Sequence, residues 1–168
     1  MEKIVIIING TGCAGKDTLC EIAAKYFRVK IISAIDPIKG IAETYGWNGE
    51  KDAKARKFLS DLKQIFVEYN DLPTEYLYNQ YKLFLEAEED ILFVHIREGK
   101  EIDKFKKLVN IKCVTLLIDR NIGDNQEWGN SSDDNVRNYN YDYYYMNEKN
   151  LELAEKEFIE LLESINEC

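Results

Sequence analysis

Three glycines, a lysine and two threonines fall within nine residues near the start of the chain: Gly10, Thr11, Gly12, Cys13, Ala14, Gly15, Lys16, Asp17 and Thr18. Their shared chemistry is the holding of an anion. Phosphate oxygens need several donors converging on one point. The backbone N–H groups of a tight glycine loop supply them, together with the unsatisfied N–H groups that open a helix. Gly10, Gly12 and Gly15 let the backbone approach closely, where a Cβ would obstruct. Lys16 adds a full positive charge in reach of terminal phosphates, and Thr18 a hydroxyl in the first turn of the helix. The flanks agree. Residues 3–9, with the apolar run Ile4 to Ile8, read as a buried strand, and a helical pattern begins near Lys16.

Strand, glycine loop and helix in that order predict a P-loop. The same glycines also spell GxGxxG, the dinucleotide fingerprint, which needs an acidic residue about 20 positions further on. Asp36 stands there, but Pro37 follows it, which suits the start of a helix. That alternative also leaves Lys16 and Thr18 without a task. The P-loop reading places Gly10 to Thr18 on the phosphates of ATP, with Mg2+ beside them. The pattern has Ser or Thr directly after the lysine; here Asp17 stands there, with Thr18 one place later. Thr18 and Asp17 are the expected metal ligands, Asp17 through a water, because magnesium keeps several waters. The plain alternative for Asp17 is an acidic residue complementing the positive end of a helix dipole.

The elements that must position this loop alternate. Helical patterns run from about Lys16 to Phe27, Asp36 to Tyr45, Asp52 to Asn70, Thr74 to Glu88, Lys100 to Val109 and Lys149 to Ile165. Strand patterns cover residues 29–33, 91–96, 111–118 and 141–146, several of them continuously apolar, as parallel sheets require. The expected fold class is α/β: a three-layer P-loop NTPase with a five-stranded parallel sheet. One domain spans residues 1–168. A helical insertion over about 36–89 covers an acceptor, and residues 119–138, rich in Asn, Asp, Gly and Ser, form a lid loop.

Lys16 followed by Asp17 and Thr18 gives the string GKDT, and the arrangement GK-x-T resembles nucleoside monophosphate kinases. The string itself resembles the deoxynucleoside monophosphate kinases of bacteriophages and their bacterial relatives. Asp36-Pro37-Ile38-Lys39, His95-Ile96-Arg97 and the run from Tyr141 to Asn147 add to the likeness through their order. It implies the nucleoside monophosphate kinase fold, with Asp36, Lys39, Arg56 and Arg97 on the acceptor. The chain departs from that family at His95, where an acidic residue tends to stand. A single strand histidine reads instead as a packed, hydrogen-bonded core residue. One ring of the tyrosine cluster at residues 139–145 could stack on adenine, and Asn147 or Asn150 is expected to cap the last helix.

The arginines support transfer chemistry independently. Phosphoryl transfer is positioning plus stabilisation of charge, which suits the permanently charged guanidinium fork. Of the five arginines, Arg97 and Arg120 fall at the ends of predicted strands, where ligands bind in open α/β sheets. Arg137 falls at the end of the lid. Lys16, Arg97, Arg120 and Arg137 are therefore the catalytic candidates. Arg28 is expected at the surface.

Charge excludes other classes. A net charge of −9 argues against nonspecific nucleic-acid binding, which needs a basic surface. Residues 51–63 are the local exception, with five basic residues against two acidic ones, enough for an anionic substrate or simply a solvated helix face. No apolar run approaches a membrane span, and the first apolar run is a core strand rather than a signal peptide. The four cysteines make no CxxC pair, so reduced thiols and a cytoplasmic location are expected. The expected activity is phosphoryl transfer from ATP to a nucleoside or deoxynucleoside monophosphate. Two alternatives stay open: a kinase of another small metabolite, of phosphomevalonate type, and a non-catalytic nucleotide-binding switch.

Overall fold

A computed structural model describes residues 2–11, 13–120, 136–148 and 150–167. Five strands form one sheet, β1 (Ile4–Gly10), β2 (Val29–Ser33), β3 (Ile91–His95), β4 (Cys113–Asp119) and β5 (Tyr143–Met146), in the order β2-β3-β1-β4-β5. Every pairing is parallel. Among the described residues six α-helices accompany them: α1 (Lys16–Ala23), α2 (Asp36–Thr44), α3 (Ala53–Asn70), α4 (Leu72–Glu86), α5 (Gly99–Lys106) and α6 (Leu151–Glu167).

Burial on both faces explains the continuous apolar runs. Strand residues alternate in direction. Ile4, Ile6 and Ile8 therefore join Leu19 and Ile22 of α1 and Phe158, Leu162 and Ile165 of α6 in one core. Val5 and Ile7 join Leu77, Tyr81 and Phe84 of α4 and Ile102 and Phe105 of α5 in the other. The result is helix, sheet, helix. Of the material between β2 and β3, α4 thus belongs to a layer against the sheet, while the 18 residues of α3 bury only Ala55. Lys3 ties α4 down by donating from Nζ to the carbonyls of Phe84, Ala87 and Glu89.

Several boundaries differ from the sequence pattern for local reasons. Regular helix stops at Ala23, not Phe27, because Lys25 and Tyr26 bond to carbonyls three residues back and tighten the last turn. The last strand starts at Tyr143, not Tyr141. Ahead of it the Asp142 carboxylate accepts from both the amide and the hydroxyl of Thr115 (2.8 Å each), where a ladder bond would otherwise form. Asp71, with φ 52°, closes α3, and Pro73 sits in the first turn of α4, where its missing N–H costs nothing.

β1 is the middle strand. The chain passes from it to the edge strand β2, returns through β3, then crosses over β1 to β4. The carboxyl ends of β3, β1 and β4 therefore lie side by side, with Ile8 level with His95 and Gly10 level with Ile118. In open α/β sheets such a place is where ligands bind.

Candidate active site

The loop after β1 is tightly wound. Ala14 N bonds to Thr11 O (3.1 Å), and Cys13 and Gly15 take positive φ, 58° and 82°. Gly15 is the N-cap of α1, with no side chain blocking the helix's first N–H groups. Glycine is required at both loop ends for different reasons. A Cβ on Gly10 would come within 2.9 Å of Ile118 O; one on Gly15 would come within 2.7 Å of Asn147 Nδ2. Gly12 lies outside the described residues. Gly15→Ala should therefore cost about 1–3 kcal/mol in urea unfolding, from left-handed strain and displaced Asn147. Gly40→Ala, inside α2 with nothing within 4 Å, should stabilise by about 0.5–1 kcal/mol.

At the end of β3 the loop meets His95. Its Nδ1 lies 3.5 Å from Asp17 Oδ1 and its Nε2 3.7 Å from Cys20 Sγ, and Asp17 Oδ1 is also 3.5 Å from Lys16 Nζ. His95 is only 13% exposed. Burial first, then the positive charges of Lys16, Arg97 and Lys39, push its pKa down to about 4, against the partial relief of Asp17. The imidazole is neutral at neutral pH. It is packed, as the sequence suggested, but on the floor of the site rather than in the core. Burial also pushes the Cys20 thiol up to about 12, which makes it inert.

The sign of the linkage is fixed by that shift. An unfolded histidine takes up a proton near pH 6.5, the folded one only near 4. The unfolded state binds more protons in between, so stability is full above pH 6.5 and falls as pH drops toward 4. His95→Gln should flatten the decline by on the order of 1–3 kcal/mol. Urea midpoints from pH 7 to pH 4 check this.

Arg97 follows β3, near enough to Arg56 of α3 to feel its charge. Desolvation, then the like charge of Arg56, lowers the Arg97 pKa. Arg56 Nε is anchored on Lys51 O (2.9 Å). The rest of the basic stretch is partly neutralised, Lys63 by Glu101 (2.7 Å) and Lys57 by Asp61. Lys39 lies in α2, near enough to act on His95. Asp36 is not the N-cap of α2 but its first residue. Its Oδ2 accepts from Ser33 N (2.7 Å) and from Tyr76 OH (3.5 Å), so it holds the β2–α2 turn. Arg28 is a surface residue with a definite task, a fork onto Asp90 at 3.0 and 2.9 Å that joins the starts of β2 and β3.

The end of β4 brings Asp119, Arg120 and Arg137 to the same mouth. Asp119 accepts from Thr11 Oγ1 (3.1 Å), the Arg120 amide (2.8 Å) and both arms of Arg137 (2.8 and 2.9 Å). Burial works against this carboxylate, yet those donors outweigh it and its pKa is lowered. The Arg120 side chain is exposed. The expected lid falls mainly on residues 121–135, outside the described residues.

Three residues of the site were not recognised as such in the sequence. Asp119 ends an apolar strand and carried that weak signal alone. Asn9, 1% exposed, donates to Arg97 O (3.1 Å) and Tyr141 OH (2.9 Å), and its own Oδ1 receives Gly10 N (2.9 Å). A polar residue closing an isoleucine strand was the clue. Asn147, expected as a helix cap, instead donates Nδ2 to Ala14 O (2.8 Å); Asn150 caps α6, accepting from Leu153 N (3.0 Å). Tyr141 is buried against Asn9, which takes that ring out of contention for adenine.

Helix-flanked parallel sheet and glycine loop together define an α/β fold shared with P-loop kinases. Three solved structures carry that statement. APS kinase of Mycobacterium tuberculosis, in complex with AMPPNP and APS, is similar at 12% identity and TM-score 0.54, over 96% of this chain and 98% of that one. Shikimate kinase from Aquifex aeolicus is similar at 15% identity and TM-score 0.54, over 96% of each chain. Thymidylate kinase from Ehrlichia chaffeensis is similar at 12% identity and TM-score 0.50, over 96% of this chain and 100% of that one. No protein-family model matches the chain, and no curated protein matches its sequence. Among the described residues, no helix is long and apolar enough to cross a membrane.

Proposed function

We propose that this chain transfers the terminal phosphoryl group of ATP to a nucleoside or deoxynucleoside monophosphate. One observation carries the reading: Lys16, Lys39, Arg56 and Arg97, from four different segments, converge around the end of β3 in a chain of net charge −9. Asp17 and Glu98 stand among these cations and offset part of their charge, and the remaining excess of positive charge suits the receipt of an anion. The loop with Lys16 takes the donor's phosphates, and Arg97, Arg56 and Lys39 take the acceptor's. Arg120 and Arg137, on the other side of the loop at Asp119, are assigned in this reading to the charge on the transferred group.

A phosphate monoester is largely ionised at neutral pH and needs no base to take a proton, so a monophosphate acceptor asks of the neutral His95 only packing. Magnesium fits the donor set at the start of α1, where the Thr18 hydroxyl and Asp17 carboxylate are hard oxygen ligands. No cluster of three His, Cys, Asp or Glu side chains among the described residues could hold a metal. Bound there, the ion would offset the charge of the triphosphate.

The test is coupled ADP release with a panel of ribo- and deoxyribonucleoside monophosphates beside a panel of phosphorylated and hydroxylated metabolites. Preference for one base supports the reading. Turnover stimulated only by a metabolite without a base, or by nothing, overturns the acceptor.

A further inference from the structure

Asp119 closes β4 at the mouth of the loop and is bonded to the loop and to an arginine at once. Its Oδ1 accepts from Thr11 Oγ1 and Arg137 Nη2, its Oδ2 from Arg137 Nε. Its main-chain oxygen accepts from Asn147 N (2.8 Å), the residue that also holds Ala14 O. The first and fourth residues after β1 are thus clasped by Asp119 and Asn147, which stand at the ends of β4 and β5. Carboxylate and phosphate offer a guanidinium the same pair of oxygens, so either can fill the fork of Arg137. Arg137 is 53% exposed, and an ion pair that open is worth only about 0–1 kcal/mol. A more highly charged oxyanion on the adjoining loop would compete with it for the guanidinium.

We propose that Asp119 is a positioning residue that holds Arg137 beside the loop until a polyphosphate bound there takes the guanidinium in exchange. The proposal rests on the reading of the loop as a phosphate cradle and is independent of any acceptor. It makes the arginine available at the right place without letting it point into solvent, and it sets a carboxylate in competition with the donor phosphates.

The experiment titrates the intact chain with inorganic tripolyphosphate and follows the Arg137 Nε–Hε resonance by NMR, assigned through bonds in the wild-type protein. In the wild type that resonance should move in step with occupancy and reach a new position at saturation. In free Asp119→Asn it should already have left its wild-type position. Arg137→Lys keeps the charge but not the fork and should bind tripolyphosphate three- to tenfold more weakly. A resonance unmoved at saturation, or undiminished affinity in Arg137→Lys, overturns the exchange, and the first of these needs no variant to fold. Failure of the wild type to bind tripolyphosphate overturns both the cradle and the exchange. Exchange without turnover on any monophosphate overturns only the acceptor.

Discussion

Lys16→Met should lower kcat by on the order of 10²–10³, because it removes a preorganised positive charge from the transferring phosphates while keeping the side chain's length. Little stability should go with it. The only ion pair formed by Lys16 among the described residues is a 3.5 Å contact to an Asp17 side chain that is 75% exposed. A pair of that kind contributes about 0–1 kcal/mol. The variant has a second signature. Lys16 is the leading charge that depresses the His95 imidazole, so His95 should titrate higher in Lys16→Met. Steady-state rates, a thermal melt and an NMR titration of the single histidine together check the prediction. Unchanged turnover beside a shifted histidine would mean that the loop holds no reacting phosphate.

Arg97→Ala should reduce kcat/KM for the acceptor by about 10- to 100-fold, the worth of a charge-assisted hydrogen bond of about 1.5–3 kcal/mol, and leave the KM for ATP nearly unchanged. Arg97→Lys should recover little, since an ammonium cannot fork onto a phosphate. The split between the two substrates is what separates an acceptor residue from a merely structural one. It follows from geometry: Arg97 leaves β3 on the Arg56 side of the loop, while Arg120 follows β4 and Arg137, in the turn before β5, bonds to its last residue on the other. Removing Arg97 also relieves Arg56 of a like charge, so the loss in acceptor use should not be mirrored by a matching loss in melting temperature. Equal losses in both substrates would place Arg97 elsewhere in the mechanism.

The second arginine set is harder to read from residues alone. Arg137 was expected as a clamp, and the structure finds it forked onto Asp119. Two charges 18 positions apart in a polar stretch carry no pattern that would reveal this. The pair exists because β4 and the short 3₁₀ turn at Val136–Asn138 end at the same rim of the sheet. The same reason hid Asn147, whose partner Ala14 is 133 positions away.

Local physics was legible throughout. An isoleucine-rich run that ends in a glycine loop reads as a buried strand; Gly15 marks a left-handed turn that other residues resist; Pro73 starts a helix rather than interrupting one. Those features act over a few residues, and from them came the five parallel strands, the loop and the helix behind it. What tertiary structure alone decided was convergence. Neutral His95, the like-charged Arg56 and Arg97, and the Thr11–Asp119–Arg137 chain owe their properties to neighbours supplied by strand order, with β1 in the middle. Electrostatic free energy depends on distance and burial in space, and a linear chain records neither until it has folded.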